Sequence, residues 1–105
     1  MQGNMNDRRD SKRVPLILAV DVAEVQSGTR LSARTSDVSL TGCYVDTLNP
    51  TPTGTEVRVR LTHNGEDLDL LARVVYVSPR LGMGGRFDES ISSDQLAILG
   101  RWLSE

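Results

Sequence analysis

Two arginines, Arg9 and Arg13, flank Asp10-Ser11-Lys12 close to the start of the chain. A guanidinium donates parallel hydrogen bonds to an oxyanion and stacks its flat face on a ring, which an ammonium cannot combine. Further on, Asp37-Val38-Ser39-Leu40-Thr41-Gly42 sets a carboxylate, a hydroxyl and a glycine in a short polar stretch. Taken alone, that stretch is ordinary turn chemistry. Neither feature decides its role alone, and the arginine cluster also reads as a solvated basic tail.

An acidic chain with one compact basic cluster suggests a small, discrete anion as its partner. Lysine and arginine number 12 against 14 acidic residues, for a formal net charge of -2. Yet Arg8, Arg9, Lys12 and Arg13 crowd into six positions. Nucleic-acid polymers are bound through broad basic stripes, and single strands through several stacking aromatics as well. With four aromatic residues and a net negative charge, the chain is not expected to bind polymeric nucleic acid.

Catalytic constellations are missing from the pattern. His63 is the single histidine and Cys43 the single cysteine, which leaves a zinc site and a Cys–His pair without material. His63 adjoins the Asn64-Gly65 turn and is expected to be exposed, and Cys43 to be a small buried hydrophobe. Asp67 and Asp69 share a strand face and read as solvated. Gly82-Met83-Gly84-Gly85-Arg86-Phe87 precedes no helix and ends in Phe, so it is not a dinucleotide fingerprint. No enzyme is expected, and no cofactor or metal.

The elements that must hold these residues are mostly strands. Residues 1–13 lack apolar periodicity and are expected to be flexible without ligand. Leu16 to Val25 reads as a strand with Leu16, Leu18, Val20 and Val22 on one face. Ser27-Gly28 then signals a hairpin into a second strand, Thr29 to Ser36. Asp37 to Gly42 is read as a turn and Cys43 to Leu48 as a strand. The proline-rich stretch 49–54 is a loop. Val57, Val59 and Leu61 alternate with polar residues, and Asn64-Gly65 is a type I′ hairpin signal. Leu68, Leu70, Ala72, Val74 and Tyr76 then share one face of a long strand that Pro79 ends. Gly84 to Phe87 makes a last strand. Ser92 to Gln95 has the form of a capping box, with Leu96, Leu99 and Leu103 after it at helical spacing and Ile98 and Trp102 beside them.

Six strands and one terminal helix in 105 residues suggest one domain, a six-stranded antiparallel β-barrel closed by a C-terminal α-helix. Its expected division is an N-terminal arginine segment, 1–13, and a barrel with helix, 14–105. No run is long enough to span a bilayer, the N-terminus is too polar for a signal peptide, and one cysteine suits a reducing compartment. A cytoplasmic protein without membrane insertion is expected.

The two motifs together resemble the signature of the PilZ domain family, R-x-x-x-R and then, after some twenty to thirty residues, [D/N]-x-S-x-x-G. Here 23 residues separate Arg13 from Asp37. Pro15, the Gly54 loop, Arg73-Val74-Val75, Gly84-Gly85-Arg86-Phe87 and Trp102-Leu103 extend the resemblance over residues 8 to 104. It implies a six-stranded barrel with a C-terminal helix that binds cyclic di-GMP through Arg9, Arg13, Asp37, Ser39 and Gly42. Arginines suit the ligand's phosphates and guanine edges, Asp37 the guanine N–H donors, and Ser39 a phosphate or guanine edge. Gly42 is expected to supply a positive φ and a close approach of ligand to backbone. Further candidates are Arg8, which in similar domains accompanies an intercalated ligand pair, Tyr76 as a stacking ring, and Arg86. The resemblance implies output through an unidentified protein partner. The alternative is a PilZ-fold adaptor that binds no nucleotide.

Overall fold

The computed structural model describes residues 12–105. Expectations that fall on residues 1–11, Arg8 and Arg9 among them, lie outside the described residues. The elements are β1 (Val14–Pro15), β2 (Ala19–Glu24), β3 (Arg30–Val38), β4 (Gly42–Asp46), β5 (Glu56–His63), β6 (Glu66–Ser78), β7 (Gly82–Phe87) and a helix α1 (Ser93–Leu103). All pairings are antiparallel, in the order β3–β2–β5–β6–β7–β4, and β4 pairs back with β3 to close a six-stranded barrel. Strand β1 is extra to the barrel and pairs with the end of β3, Val14 with Val38 and Pro15 with Asp37.

The alternating residues line the interior as their period demands. Val20, Val22, Val57, Val59, Leu61, Leu68, Leu70, Ala72 and Val74 are all buried. The Asn64-Gly65 hairpin has the positive φ values of a type I′ turn, 51° and 82°. Helix α1 begins with a complete capping box: Ser92 Oγ accepts from the Gln95 N–H, and Gln95 Oε1 accepts from the Ser92 N–H. It lies along the start of β6, with Leu99 and Trp102 in the barrel core. No helix among the described residues is long and apolar enough to cross a membrane.

Three local readings change. Leu16 to Val25 is not one strand: the chain breaks between Pro15 and Ala19. Thr35, fully buried, explains the break. Its hydroxyl donates to Leu16 O (2.8 Å) and accepts from the Leu18 N–H (2.9 Å), replacing ladder bonds with side-chain ones. The polar turn is also shorter than 37–42, because Asp37 and Val38 remain in β3, opposite Tyr44 and Cys43. Finally, His63 is not exposed: its side chain keeps 18% of its accessible surface and packs edge-on against Trp102, ring centroids 5.4 Å apart.

Candidate functional site

Simple alternation along β3 and β6 would send Asp37 inward after Leu31, Ala33 and Thr35, and Tyr76 inward after Ala72 and Val74. Neither goes there. The β3–β4 register shifts between Thr35 and Asp37, and the β6–β7 register shifts between Val74 and Tyr76. Each β-bulge adds one residue to one strand and reverses the facing of the residues beyond it. Val38 and Val77 therefore turn toward the core, and Asp37 and Tyr76 turn to the outer face. The two bulges act on one row of the sheet, since Asp37 pairs with Tyr44, Tyr44 with Gly84, and Gly84 with Tyr76.

Glycine makes that row flat. A Cβ at Gly84 would collide with the Tyr76 ring, and one at Gly82 with the Tyr44 ring and the Val45 carbonyl. The two tyrosines thus lie across the bare backbone of β7, centroids 6.0 Å apart and planes inclined by 32°. Tyr76 keeps 39% of its surface exposed, so one face of its ring is held by the sheet and the ring remains reachable from solvent. Tyr44 was not picked out from sequence. Its signal was its place two residues after Gly42, where a strand pairing with Asp37 would set it alongside.

Arg13 reaches this row from the chain just before β1. Its Nη2 donates to the Tyr76 hydroxyl (3.2 Å), its Cζ lies 6.0 Å from the Tyr76 ring centroid, and its Nη1 stands 3.4 Å from Asp37 Oδ1. The hydrogen bond to Tyr76, with the Asp37 charge adding to it, raises the Arg13 pKa above its ordinary value. The contact to Asp37 is an ion pair by distance but not a hydrogen bond. Asp37 Oδ1 is buried and lacks a hydrogen-bond partner among the described residues. Buried acceptors without donors are rare in folded proteins, and this one lies beside a charged, half-exposed arginine.

Ser39 and Gly42 serve the site differently from the way their types suggested. Ser39 is buried, and its Oγ accepts from the N–H groups of Thr41 (3.1 Å) and Gly42 (3.2 Å). Its backbone N–H donates to Gly42 O at 2.8 Å. The hydroxyl therefore builds the tight turn that joins β3 to β4. Gly42 does not have the positive φ expected of it, since Gly28, Gly54 and Gly65 are the glycines that do. Its small size is needed because a Cβ would strike the Gly85 carbonyl oxygen of β7. The close approach seen at Gly42 is that of the protein's own backbone.

Arg86 shares the outer face two residues beyond Gly84 and pairs across the sheet with Gly42 and Arg73. It is exposed, without a hydrogen bond or ion pair among the described residues. Cys43 points inward, and burial pushes its thiol up to about 12, so it is a hydrophobe and not a nucleophile. Asp67 and Asp69 are exposed and occupied by neighbours, Asp67 accepting from Thr62 and Asp69 paired with Arg60 at 2.8 Å.

The family model described as PilZ domain matches residues 7–105. The fold is similar to the solved PilZ domain of CeSA from a cellulose-synthesizing bacterium, with a TM-score of 0.73 and 25% identity over 90% of this chain and 96% of that one. It is also similar in fold to the Bacillus subtilis inhibitor of motility, MotI/DgrA, with a TM-score of 0.73 and 18% identity over 92% of this chain. The match spans half of that second protein's length, 50%. No curated protein matches the chain significantly.

Proposed function

The chain belongs to the PilZ domain family, and from that premise we propose that it is a receptor for cyclic di-GMP which signals through protein contacts. The observation that carries this reading is the meeting of the two motifs on one outer face. Arg13 stands between Asp37 and Tyr76, and Asp37 keeps a buried acceptor without a hydrogen bond among the described residues.

The chemistry of each group comes from its position. Arg13 exchanges its contact with Asp37 for a ligand phosphate. A half-exposed ion pair is worth only about 0–1 kcal/mol, so a bidentate phosphate contact outcompetes it. The exchange frees the Asp37 carboxylate for the N1–H and N2–H donors of a guanine. Tyr76, lying on Gly84, offers a ring face for stacking. Ser39 and Gly42 hold the turn that fixes Asp37 in height and direction. Arg9, with Arg8 beside it, supplies further donors to the phosphates, and Arg86 borders the same face.

Ordering each residue of the arginine segment costs roughly 1–2 kcal/mol. Several charge-assisted contacts must therefore form together, and the closed segment then changes the surface seen by a partner protein. The chain acts as a binding module, not a catalyst. Calorimetric titration of cyclic di-GMP into the wild type, Arg13→Ala and Asp37→Ala tests the proposal. Binding by the wild type, weakened by each substitution, is expected, and the stoichiometry distinguishes one ligand from an intercalated pair. Absence of binding to the wild type would refute the receptor reading and leave a nucleotide-free adaptor.

A further inference from the structure

The barrel closes between β3 and β4 along only part of β3. Arg34 to Val38 face β4, whereas Arg30 to Ala33 pair with β2 alone. Beyond Asp46 the chain leaves the ladder, and the Thr47 N–H turns to Leu81 O instead (3.1 Å). On the β2 side, backbone bonds join Thr35 N to Leu18 O and Glu24 N to Thr29 O. The alternation of an antiparallel ladder then assigns residues 29, 31, 33 and 35 to β2 and turns the N–H and C=O of Arg30 and Ser32 the other way. No backbone group meets Arg30 or Ser32 there among the described residues.

This open edge borders a groove of about 560 Å³ between Ser32–Arg34 and Asp46–Asn49. Its apolar lining is Ala33 and Leu48, Leu48 being 75% exposed, and Leu31, next along the edge, is only partly buried. On its outer side Arg34 is matched by Asp46 across the ladder, and Arg30 lies further along the same edge, outside the groove lining. Arg30 has neither an ion pair nor a hydrogen bond among the described residues, while the nearby Asp21 is engaged by the Ser32 hydroxyl (2.6 Å).

We propose that the edge of β3 at Arg30–Ala33 takes an extended segment of a partner protein as an added antiparallel strand, in line with β4. The segment carries apolar residues on alternate positions, which cover Leu31, Ala33 and Leu48, and acidic residues between them, which face Arg30. Unpaired strand edges recognise peptides in this way, through backbone bonds for attachment and alternate side chains for choice. A second copy of this chain fits poorly. Antiparallel pairing about Ser32 would oppose Arg30 of one copy to Arg34 of the other, two like charges. The strip lies at the other end of β3 from Asp37 and needs no nucleotide, so its test is independent of the receptor proposal.

The probe is a five-residue fluorescent peptide alternating valine and glutamate, titrated into the full chain without nucleotide. Amide exchange at Arg30 and Ser32 should slow by roughly tenfold or more at saturation. N-methylating one alternate set of peptide nitrogens should abolish binding, while methylating the other set should spare it. Arg30→Glu, an exposed change, should weaken binding by roughly tenfold and leave the melting temperature unchanged. Equal binding of both methylated peptides, protection elsewhere on the barrel, or slow exchange at Arg30 and Ser32 before peptide is added would each overturn the proposal. The methylated-peptide arm uses wild-type protein, so misfolding of a variant cannot obscure the result.

Discussion

The two ends of β6 carry polar groups of opposite kinds. At its start, the Glu66 carboxylate accepts from both Nη atoms of Arg101 (2.8 and 2.9 Å) and from the Trp102 indole (3.0 Å). Roughly 30 Å further along the strand, the Tyr76 hydroxyl accepts a longer bond from Arg13, and Asp37 Oδ1 accepts none among the described residues. At the helix end, the carboxylate is matched donor for donor and ties α1 to the barrel. At the outer face, the carboxylate is held in place by two strands and a tight turn, yet its bonding capacity is left open. Saturated groups hold a fold together, whereas the open acceptor of Asp37 is what the proposed receptor role would use.

That contrast can be broken at either end. The largest effect is expected from Trp102→Ala, which removes a fully buried ring and should cost about 3–5 kcal/mol in a urea unfolding titration. A loss below about 1 kcal/mol would mean that α1 is not part of the core. Gly42→Ala comes next, since its Cβ would strike the Gly85 carbonyl. About 1–3 kcal/mol of stability should disappear as β4 and β7 separate, and the same titration reads it.

The acid response sharpens the comparison further. Hydrogen bonds from Arg101, then Trp102, hold the Glu66 pKa at about 2, below the ordinary 4.5. A carboxylate lowered by folding stabilises above its unfolded pKa, and that stability is lost as the pH falls. Thermal melts should therefore decline between pH 4.5 and 2, and Glu66→Gln should flatten that part of the profile. An unchanged profile would show that the helix latch contributes nothing. The smallest change in stability is expected at the other end: Asp37→Ala should lower the unfolding free energy by no more than about 0.5 kcal/mol while weakening the proposed nucleotide binding. A large destabilisation there would make Asp37 a structural residue and erase the distinction.

Much of this was legible in one sequence because it is local. The period-2 stretch Val57–Leu61 contains its own facing, the Asn64-Gly65 pair its own positive φ values, and Ser92 to Gln95 its own cap. Arg13 and Asp37 were singled out by the resemblance of the two motifs together to the PilZ signature, each motif being weak alone. What the sequence could not express is a count of residues on a partner strand. A bulge exists only relative to the strand opposite, so the outward turn of Asp37 and Tyr76 was hidden. So was Thr35, whose hydroxyl stands in for ladder bonds at Leu16 and Leu18, and so was the physical need for Gly42. Composition and pattern by themselves determined a small barrel with an arginine pair near a polar turn. Tertiary structure alone decided that the Asp37 carboxylate and the Tyr76 ring face outward together, because strand registers, not residue types, set which side of a sheet a side chain occupies.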